Sequence, residues 1–202
     1  MEKWGWGNRM SSQGFEPKKL LSLIRNPGNS RNLTPHDDWL YGVIGAAIGV
    51  AGFTLWAWAE QSGIRRTLSL FADLVFSAVI SGSSIGKLLW VGILSIIVLS
   101  ALLTIAGNRI GERKRSWMEA AAYYGGAQVW FGVAMGLNAL IALVLWKVSL
   151  MLMLALLLLN LNWLLTQASE LHEVGSGRKL LFLGIVIGIY AALLAVATAW
   201  TF

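Results

Sequence analysis

The sequence predicts an all-α membrane protein: a polytopic bundle of five transmembrane helices, plus one amphipathic helix that lies at the interface or re-enters the membrane. Two observations indicate a membrane protein. Of the 202 residues, 56% are hydrophobic and only 13% are charged, whereas about a quarter of a soluble domain is charged. The chain also contains apolar runs that reach the roughly 20 residues a helix needs to cross a bilayer. Cysteine is absent, which excludes disulfides and thiolate ligands.

Residues 1–38 are predicted to form a polar cytoplasmic tail that precedes the membrane domain of residues 39–202. All three prolines of the chain lie in this tail. Pro17 and Pro27 enclose a segment in which Lys18 and Lys19 are followed by three leucines. Proline is favoured at the first position of a helix but cannot continue one. A short amphipathic helix is therefore predicted. It either lies on anionic headgroups or is an ordinary juxtamembrane segment.

Five predicted spans follow the tail. They cover residues 39–59, 88–107, 118–146, 148–166 and 180–202. Tryptophans lie near the ends of most of these runs, where an indole ring is favourably placed at the level of the headgroups.

Residues 68–85 are apolar enough to suggest a sixth crossing, but they carry Asp73. With five spans, 12 Lys and Arg residues lie on one side of the membrane and 4 on the other, whereas six spans give 8 and 8. Cytoplasmic loops carry an excess of Lys and Arg. The charge distribution therefore predicts five spans, a cytoplasmic N-terminus and an extracytoplasmic C-terminus, in a multi-pass protein of the cell membrane.

Polar side chains recur through residues 68–85 at helical spacing. They are Ser69, Asp73, Ser77, Ser81 and Ser84. Intervals of three and four residues place them on one face of a helix. Two interpretations remain open: the helix lies flat on the outer surface with its serines in water, or it lines a polar cavity in which Asp73 serves as an ion or proton site.

Glycines recur at helical spacing in three of the predicted spans. The pairs singled out for helix packing are Gly45 and Gly49 in the first span, Gly132 and Gly136 in the third, and Gly184 and Gly188 in the fifth. Small residues at this interval let helix backbones approach each other. These faces are predicted to pack within one protomer, and the same motif would also suit a homodimer.

The spans carry few polar groups and no catalytic constellation. Thr104, Gln128, Asn138, Asn160 and Asn162 are the uncharged polar residues within the spans. Of these, Asn160 and Asn162 are predicted to form hydrogen bonds between helices. A transporter driven by protons or sodium would hold ionisable groups near the midplane, and none is found there. Both histidines lie outside the spans, and no nucleophile elbow or P-loop occurs. The chain is therefore predicted not to be an enzyme and to hold no cofactor or metal.

Basic residues cluster on the predicted cytoplasmic side. Those singled out as contacts are Lys18, Lys19, Arg109, Arg113, Lys114, Arg115, Arg178 and Lys179. They are predicted to contact anionic membrane lipids and a membrane or cytoplasmic protein of unknown identity. Nucleic acid is not predicted, because the most basic loop is short and lies between two spans.

Two loops carry a resemblance to the Yip1 family. Residues 103–120 read Leu-Thr-Ile-Ala-Gly-Asn-Arg-Ile-Gly-Glu-Arg-Lys-Arg-Ser-Trp-Met-Glu-Ala: a helix ends in a glycine-containing basic turn, and Tyr123 and Tyr124 follow on the next helix. Residues 168–179 hold His172, small residues and a basic pair before the last span. This resemblance implies a bacterial Yip1-like membrane domain. The family's Gly-Gly-Lys-Gly turn is here Gly-Glu-Arg-Lys-Arg, so the GTPase binding of eukaryotic members is not expected.

Two functions are consistent with these features. In the first, the chain is an interaction or scaffolding protein of the bacterial cytoplasmic membrane, whose tail and loops contact anionic lipid and a protein partner. In the second, it is a passive conduit or permease for a small solute or lipid, with the helix that carries Asp73 along the path.

Overall fold

The computed structural model describes residues 16–34, 37–67 and 83–201. Within these ranges the chain is helical and contains no strand. Five helices are long and apolar enough to span a membrane: Trp39–Arg66, Gly86–Ile110, Trp117–Ala142, Trp146–Leu171 and Ser176–Ala197. The predicted five-span helical bundle of a multi-pass membrane protein is confirmed. Of the amphipathic helix predicted at residues 68–85, residues 68–82 lie outside the described residues, and these include Ser69, Asp73, Ser77 and Ser81. Residues 83–85 belong to the helix that follows.

The helices follow one another with short connections. In chain order they are α1 (Pro17–Arg25), a 3₁₀ helix (Pro27–Asn32), α2 (Trp39–Thr67), α3 (Ser83–Ile110), α4 (Trp117–Ala142), α5 (Trp146–Leu171), a 3₁₀ turn (Ser176–Arg178) and α6 (Lys179–Thr201). Several boundaries differ from the prediction; α3 begins at Ser83 and α5 continues to Leu171. The third span ends at Ala142 in a turn built from apolar residues, and α2 continues past the predicted end of the first span to Thr67.

Helix α4 is the centre of the bundle. Of its membrane-spanning window 61% is buried, against 11% to 39% for the other four spans. Its start is fixed by a capping box, in which Ser116 Oγ accepts from the Glu119 amide and the Glu119 carboxylate accepts from the Ser116 amide. Helix α2 packs along α4 in a parallel direction, and α5 folds back against it.

Glycines bring the backbones of α2 and α4 into direct contact. A Cβ atom at Gly45 would collide with the carbonyl oxygen of Gly125, and one at Gly132 would collide with the carbonyl of Ile48. At Gly49 a Cβ would lie 3.1 Å from the Cβ of Gln128. Gly45, Gly49 and Gly132 therefore lie in a helix interface, as predicted, and the partner glycine that the sequence analysis did not single out is Gly125.

The other three glycines of the predicted set are not in such contacts. Nothing described in the structure lies within 4 Å of a Cβ built at Gly136, Gly184 or Gly188, so the intramolecular packing predicted at these positions is absent. In α6 the buried face is formed by Phe182 and Val186, and residues two positions away point to the opposite side of a helix. In α4, it is Met135 that packs with Trp56 of α2.

The tail packs on the bundle. Helix α1 has the predicted bounds, and its Leu23 is only 1% exposed. Leu23 belongs to a cluster that spans the tail and the membrane helices: Leu23, Leu33, Tyr41, Ala122, Tyr123 and Val129. Leu23 and its apolar neighbours on α1 are thus covered by protein. If α1 contacts lipid headgroups, it does so through its exposed basic side. We call this end of the bundle the tail end, and the opposite end, where α2 finishes, the far end.

A buried aspartate anchors the tail. Asp38 accepts hydrogen bonds from the amide and hydroxyl of Thr34, each 2.9 Å, and pairs with Lys19 at 2.9 Å. Burial acts to raise the pKa of Asp38, but these hydrogen bonds and the positive charge of Lys19 outweigh it and hold the pKa below its usual value. A carboxyl with a lowered pKa stabilises the folded state above the unfolded pKa, and this contribution is lost as the pH falls through the folded pKa.

Asp38→Asn is expected to loosen the tail at neutral pH. The variant loses the ion pair with Lys19, and hydrogen bonds to charged groups contribute about 1.5–3 kcal/mol. Amide hydrogen exchange of residues 17–25 should therefore accelerate at least tenfold, which corresponds to about 1.4 kcal/mol. Asp37→Asn is the control, since Asp37 is exposed. Below about pH 4 the wild type should approach the variant. Equal exchange in the two variants would reject this anchor.

Candidate functional site

Two loops meet at the tail end of the bundle. Residues 107–116 connect α3 to α4, and residues 171–178 connect α5 to α6; together we call them the loop junction. The Arg113 amide donates to the His172 carbonyl at 3.1 Å, and the Arg113 side chain pairs with Glu173 at 3.3 Å. Glu173 has a positive φ of 53°, which turns the chain sharply after α5. The two segments that carry the family resemblance are therefore in contact.

His172 is the centre of the junction. Its side chain is fully buried, with Nδ1 3.1 Å from the Arg113 carbonyl oxygen and Nε2 3.2 Å from the Tyr124 hydroxyl. A carbonyl oxygen only accepts, so Nδ1 carries the proton and donates to it, and the Nε2 atom of the neutral ring accepts from Tyr124. Gly107 makes room for the ring, because a Cβ there would collide with the imidazole.

The electrostatics favour this neutral ring. Burial lowers the pKa of His172 below its usual value, and the positive charge of Arg115 acts in the same direction. The hydrogen bond with the Arg113 carbonyl and the charge of Glu119 oppose the shift without reversing it. His172 is therefore uncharged at neutral pH, and it acts as a bridge between the two loops and α4.

Arg115 is also used inside the protein. Only 11% of its side chain is exposed, Nε donates to the Leu171 carbonyl at 3.2 Å, and Nη1 pairs with Glu119 at 3.2 Å. Its backbone amide and carbonyl bind the side chain of Asn108 at 2.7 and 3.0 Å. Arg115 was predicted to contact lipid or a partner. In the structure its guanidinium instead donates to groups within the protein and joins the two loops.

The other predicted contact residues divide into two groups. Lys19 and Arg113 are paired with Asp38 and Glu173. The remaining five cations are exposed, and none of them forms an ion pair with another described residue: Lys18, Arg109, Lys114, Arg178 and Lys179. All five lie at the tail end. The tail end therefore presents positive charges that no described carboxylate neutralises. They surround a loop junction whose buried polar groups are hydrogen-bonded to each other.

Inside the membrane helices the polar side chains mostly bind each other. Gln128 and Asn160 exchange two hydrogen bonds of 3.3 and 3.2 Å, and Asn138 Nδ2 donates to the Ser149 carbonyl at 3.0 Å. These bonds join α4 to α5, so the predicted hydrogen bonding between helices is confirmed for Asn160. Thr104 instead binds the Ser100 carbonyl of its own helix, and Asn162 is exposed on α5.

A cavity of about 290 Å³ lies among the membrane helices. Most of its lining is apolar, and its polar groups are already paired: Gln128 with Asn160, and Ser95 with Tyr190 at 2.6 Å. A polar solute in this cavity would compete with those bonds, because the described lining offers few unused donors or acceptors. The cavity is better suited to apolar groups.

One polar residue in a span was missed by the sequence analysis. The first span was predicted to end at residue 59, but α2 continues and buries Glu60 to 5% exposure near the far end. The sequence does contain an indication of this burial. Glu60 lies four residues, about one helical turn, after Trp56 and therefore shares the helix face of that tryptophan. Among the described residues, no group of three or more Asp, Glu or His side chains is placed to hold a metal ion.

The chain matches no model of a known protein family, no curated protein and no solved structure. The class that its fold defines is a multi-pass helical membrane protein, and its most distinctive described surface is the loop junction at the tail end.

Proposed function

We propose that this chain is an interaction or scaffolding protein of the bacterial cytoplasmic membrane, which uses the tail end of its bundle to contact anionic lipid headgroups and a protein partner. The observation that carries the proposal is a contrast at the tail end. The buried residues of the loop junction are bonded to each other, whereas five exposed cations on and beside the junction have no carboxylate partner among the described residues.

A preformed surface suits this role. Binding is strengthened when the contact groups are already held in place, because less conformational entropy is lost. The junction holds its loops through His172, Arg115 and Asn108. Each basic side chain near an anionic membrane surface contributes about 1 kcal/mol. The excess of Lys and Arg at the tail end supports a cytoplasmic location for this surface.

The family resemblance points in the same direction. Gly111, Arg113, Tyr124 and His172 belong to the segments that resemble Yip1 proteins, and all four lie at or against the junction. The proposal includes a Yip1-like domain without enzymatic activity. His172, the histidine within the described residues, is engaged in structural hydrogen bonds at both ring nitrogens. The conduit alternative rests on Asp73, which lies outside the described residues.

Replacing Lys114, Arg178 and Lys179 with glutamine is expected to reduce the preference for anionic lipid. The protein would be purified in nanodiscs of mixed phosphatidylglycerol and phosphatidylcholine, and the lipids it retains on transfer to mild detergent would be quantified by mass spectrometry. At about 1 kcal/mol for each charge, enrichment of phosphatidylglycerol should fall by roughly tenfold or more. On the predicted cytoplasmic side nine Lys and Arg residues would remain, against four on the other side, which preserves the charge bias for orientation.

The matched control carries the same change in charge at the far end. Arg65, Arg66 and Lys147 are exposed there, and their replacement with glutamine should leave the enrichment unchanged. A photo-crosslinking residue at position 114 should capture a partner in native membranes, whereas one at position 147 should not. Equal lipid enrichment in both triple variants, together with no partner specific to position 114, would reject the proposed function.

A further inference from the structure

Glu60 is a carboxyl group enclosed in the bundle. The residue is 5% exposed, both of its carboxyl oxygens are inaccessible to solvent, and neither has a hydrogen-bond partner within the described structure. It lies on α2, 21 residues after Trp39, which is about 32 Å along a helix. Since the hydrocarbon core of a bilayer is about 30 Å thick, Glu60 lies near the far surface of the membrane.

Other oxygen atoms surround this carboxyl. The Ser149 hydroxyl lies beside Glu60, but it accepts a hydrogen bond from Trp56 Nε1 at 2.8 Å and donates its own proton to the Asn138 backbone carbonyl at 3.4 Å. Asn138 is 2% exposed and binds the Ser149 backbone through its amide nitrogen, while its side-chain oxygen has no partner. Three buried acceptor oxygens, two of Glu60 and one of Asn138, thus lack a donor in one cluster around Ser149.

The charged residues at the far end do not compensate Glu60. Arg65 and Arg66 lie beyond it on α2 and are exposed, and Lys147 at the start of α5 is placed over the ring of Trp146. On α3, Lys87 forms no ion pair with Glu60 within the described structure. An ionised carboxylate buried without a partner costs several kcal/mol. The site is therefore stable only when a positive charge occupies it.

We propose that Glu60, Asn138 and Ser149 form a site that binds a single positive charge, either a proton or a monovalent alkali cation. One carboxylate neutralises one unit of charge, so a divalent ion would leave a buried excess. Carboxylate, amide and hydroxyl oxygens suit hard cations. This site would give the far end a function that scaffolding does not require. The two proposals are therefore independent, and each is tested separately.

The first test uses a lipid-soluble carbodiimide, which modifies a carboxyl group only in its protonated form. The protein in nanodiscs is treated at pH 7 in choline chloride, and modified residues are mapped by mass spectrometry. Glu60 should be modified, whereas Glu112 and Glu173, which are exposed to water at the loop junction, are the controls and should not be. Exchange of choline for sodium at equal ionic strength identifies the occupant: slower modification indicates a cation, and an unchanged rate indicates a proton.

The second test compares the wild type with Glu60→Gln, which keeps the shape of the side chain and removes its charge. In choline chloride the melting temperature of the wild type should fall as the pH is raised, because an ionised carboxylate that is buried without a partner is costly. Glu60→Gln should show a flat profile. An unmodified Glu60, together with superimposable melting profiles of the two proteins with and without sodium, would overturn the proposal.

Discussion

Tyr124→Phe is expected to make the loop junction open more often while the membrane helices stay packed. The change removes the hydroxyl that lies 3.2 Å from His172 Nε2, and this nitrogen is fully buried. A buried acceptor without a donor costs about 1–3 kcal/mol, which is roughly five- to hundredfold in the opening equilibrium. Amide hydrogen exchange of residues 107–116 and 171–178 should accelerate by that factor.

Tyr123→Phe provides the matched control on the next residue. Arg115 lies over the Tyr123 ring at 5.9 Å, and phenylalanine preserves that ring. The hydroxyl of Tyr123 forms no hydrogen bond with the described residues that make up the junction. Exchange in the two loops should therefore remain close to that of the wild type. If the two variants accelerate exchange equally, the bond between Tyr124 and His172 does not hold the junction.

Acidification should produce the same opening in the wild type. Because burial lowers the pKa of His172, the unfolded or opened state binds a proton at a higher pH than the closed state. Stability is therefore complete above about pH 6.5, the usual histidine pKa, and falls as the pH decreases from there toward the lowered pKa of the closed state. The loops of the Tyr124→Phe variant already open more often at neutral pH, so their hydrogen exchange should respond less to acid.

The same variant connects the junction with the proposed function. Tyr124→Phe leaves every cation of the tail end in place, but the loops that carry Lys114 and Arg178 would no longer be held in one arrangement. Since preorganisation contributes to binding, the variant should also lower the enrichment of anionic lipid. A loss of binding without a loss of charge would distinguish a shaped surface from one that acts through net charge alone.

Some elements could be predicted from the sequence because their causes are local. The bounds of α1 follow from Pro17 at its first position and Pro27 beyond its end. The five spans follow from the length of their apolar runs. The turn after Ala142 could not be located in this way, because residues 143–145 are Leu-Val-Leu and carry no turn residue. It depends instead on contacts between helices, such as the bond of Asn138 with Ser149.

Other features depend on how the helices pair. Arg115 looks like its basic neighbours in the sequence, yet its guanidinium donates to the Leu171 carbonyl, and no short-range pattern contains that pairing. Glu60 lies at the end of an apolar run, where a charged residue usually meets water, and it is buried because Ser149 and Asn138 of other helices pack at the same level. In both cases the environment of the residue is set by segments more than 50 positions away.

Gly132→Ala is expected to destabilise the bundle, because the added methyl group meets the backbone of α2. A Cβ at this position would collide with the carbonyl of Ile48 and lie 2.7 Å from the Gly49 nitrogen. Backbone atoms cannot rotate away as a flexible side chain can, so α2 and α4 must separate along the whole contact from Gly42 to Gly52. Overpacking costs about 1–3 kcal/mol, which should appear as a lower free energy of unfolding in mixed micelles.

Gly136→Ala gives the same chemical change one turn further along the same helix. Nothing described lies within 4 Å of a Cβ built there, so no collision offsets the gain in helix propensity of about 1 kcal/mol when alanine replaces glycine. This variant should be as stable as the wild type or more stable. A similar loss of stability at both positions would mean that the glycines act through backbone flexibility. Opposite effects would show that close contact between α2 and α4 is the reason for glycine at position 132.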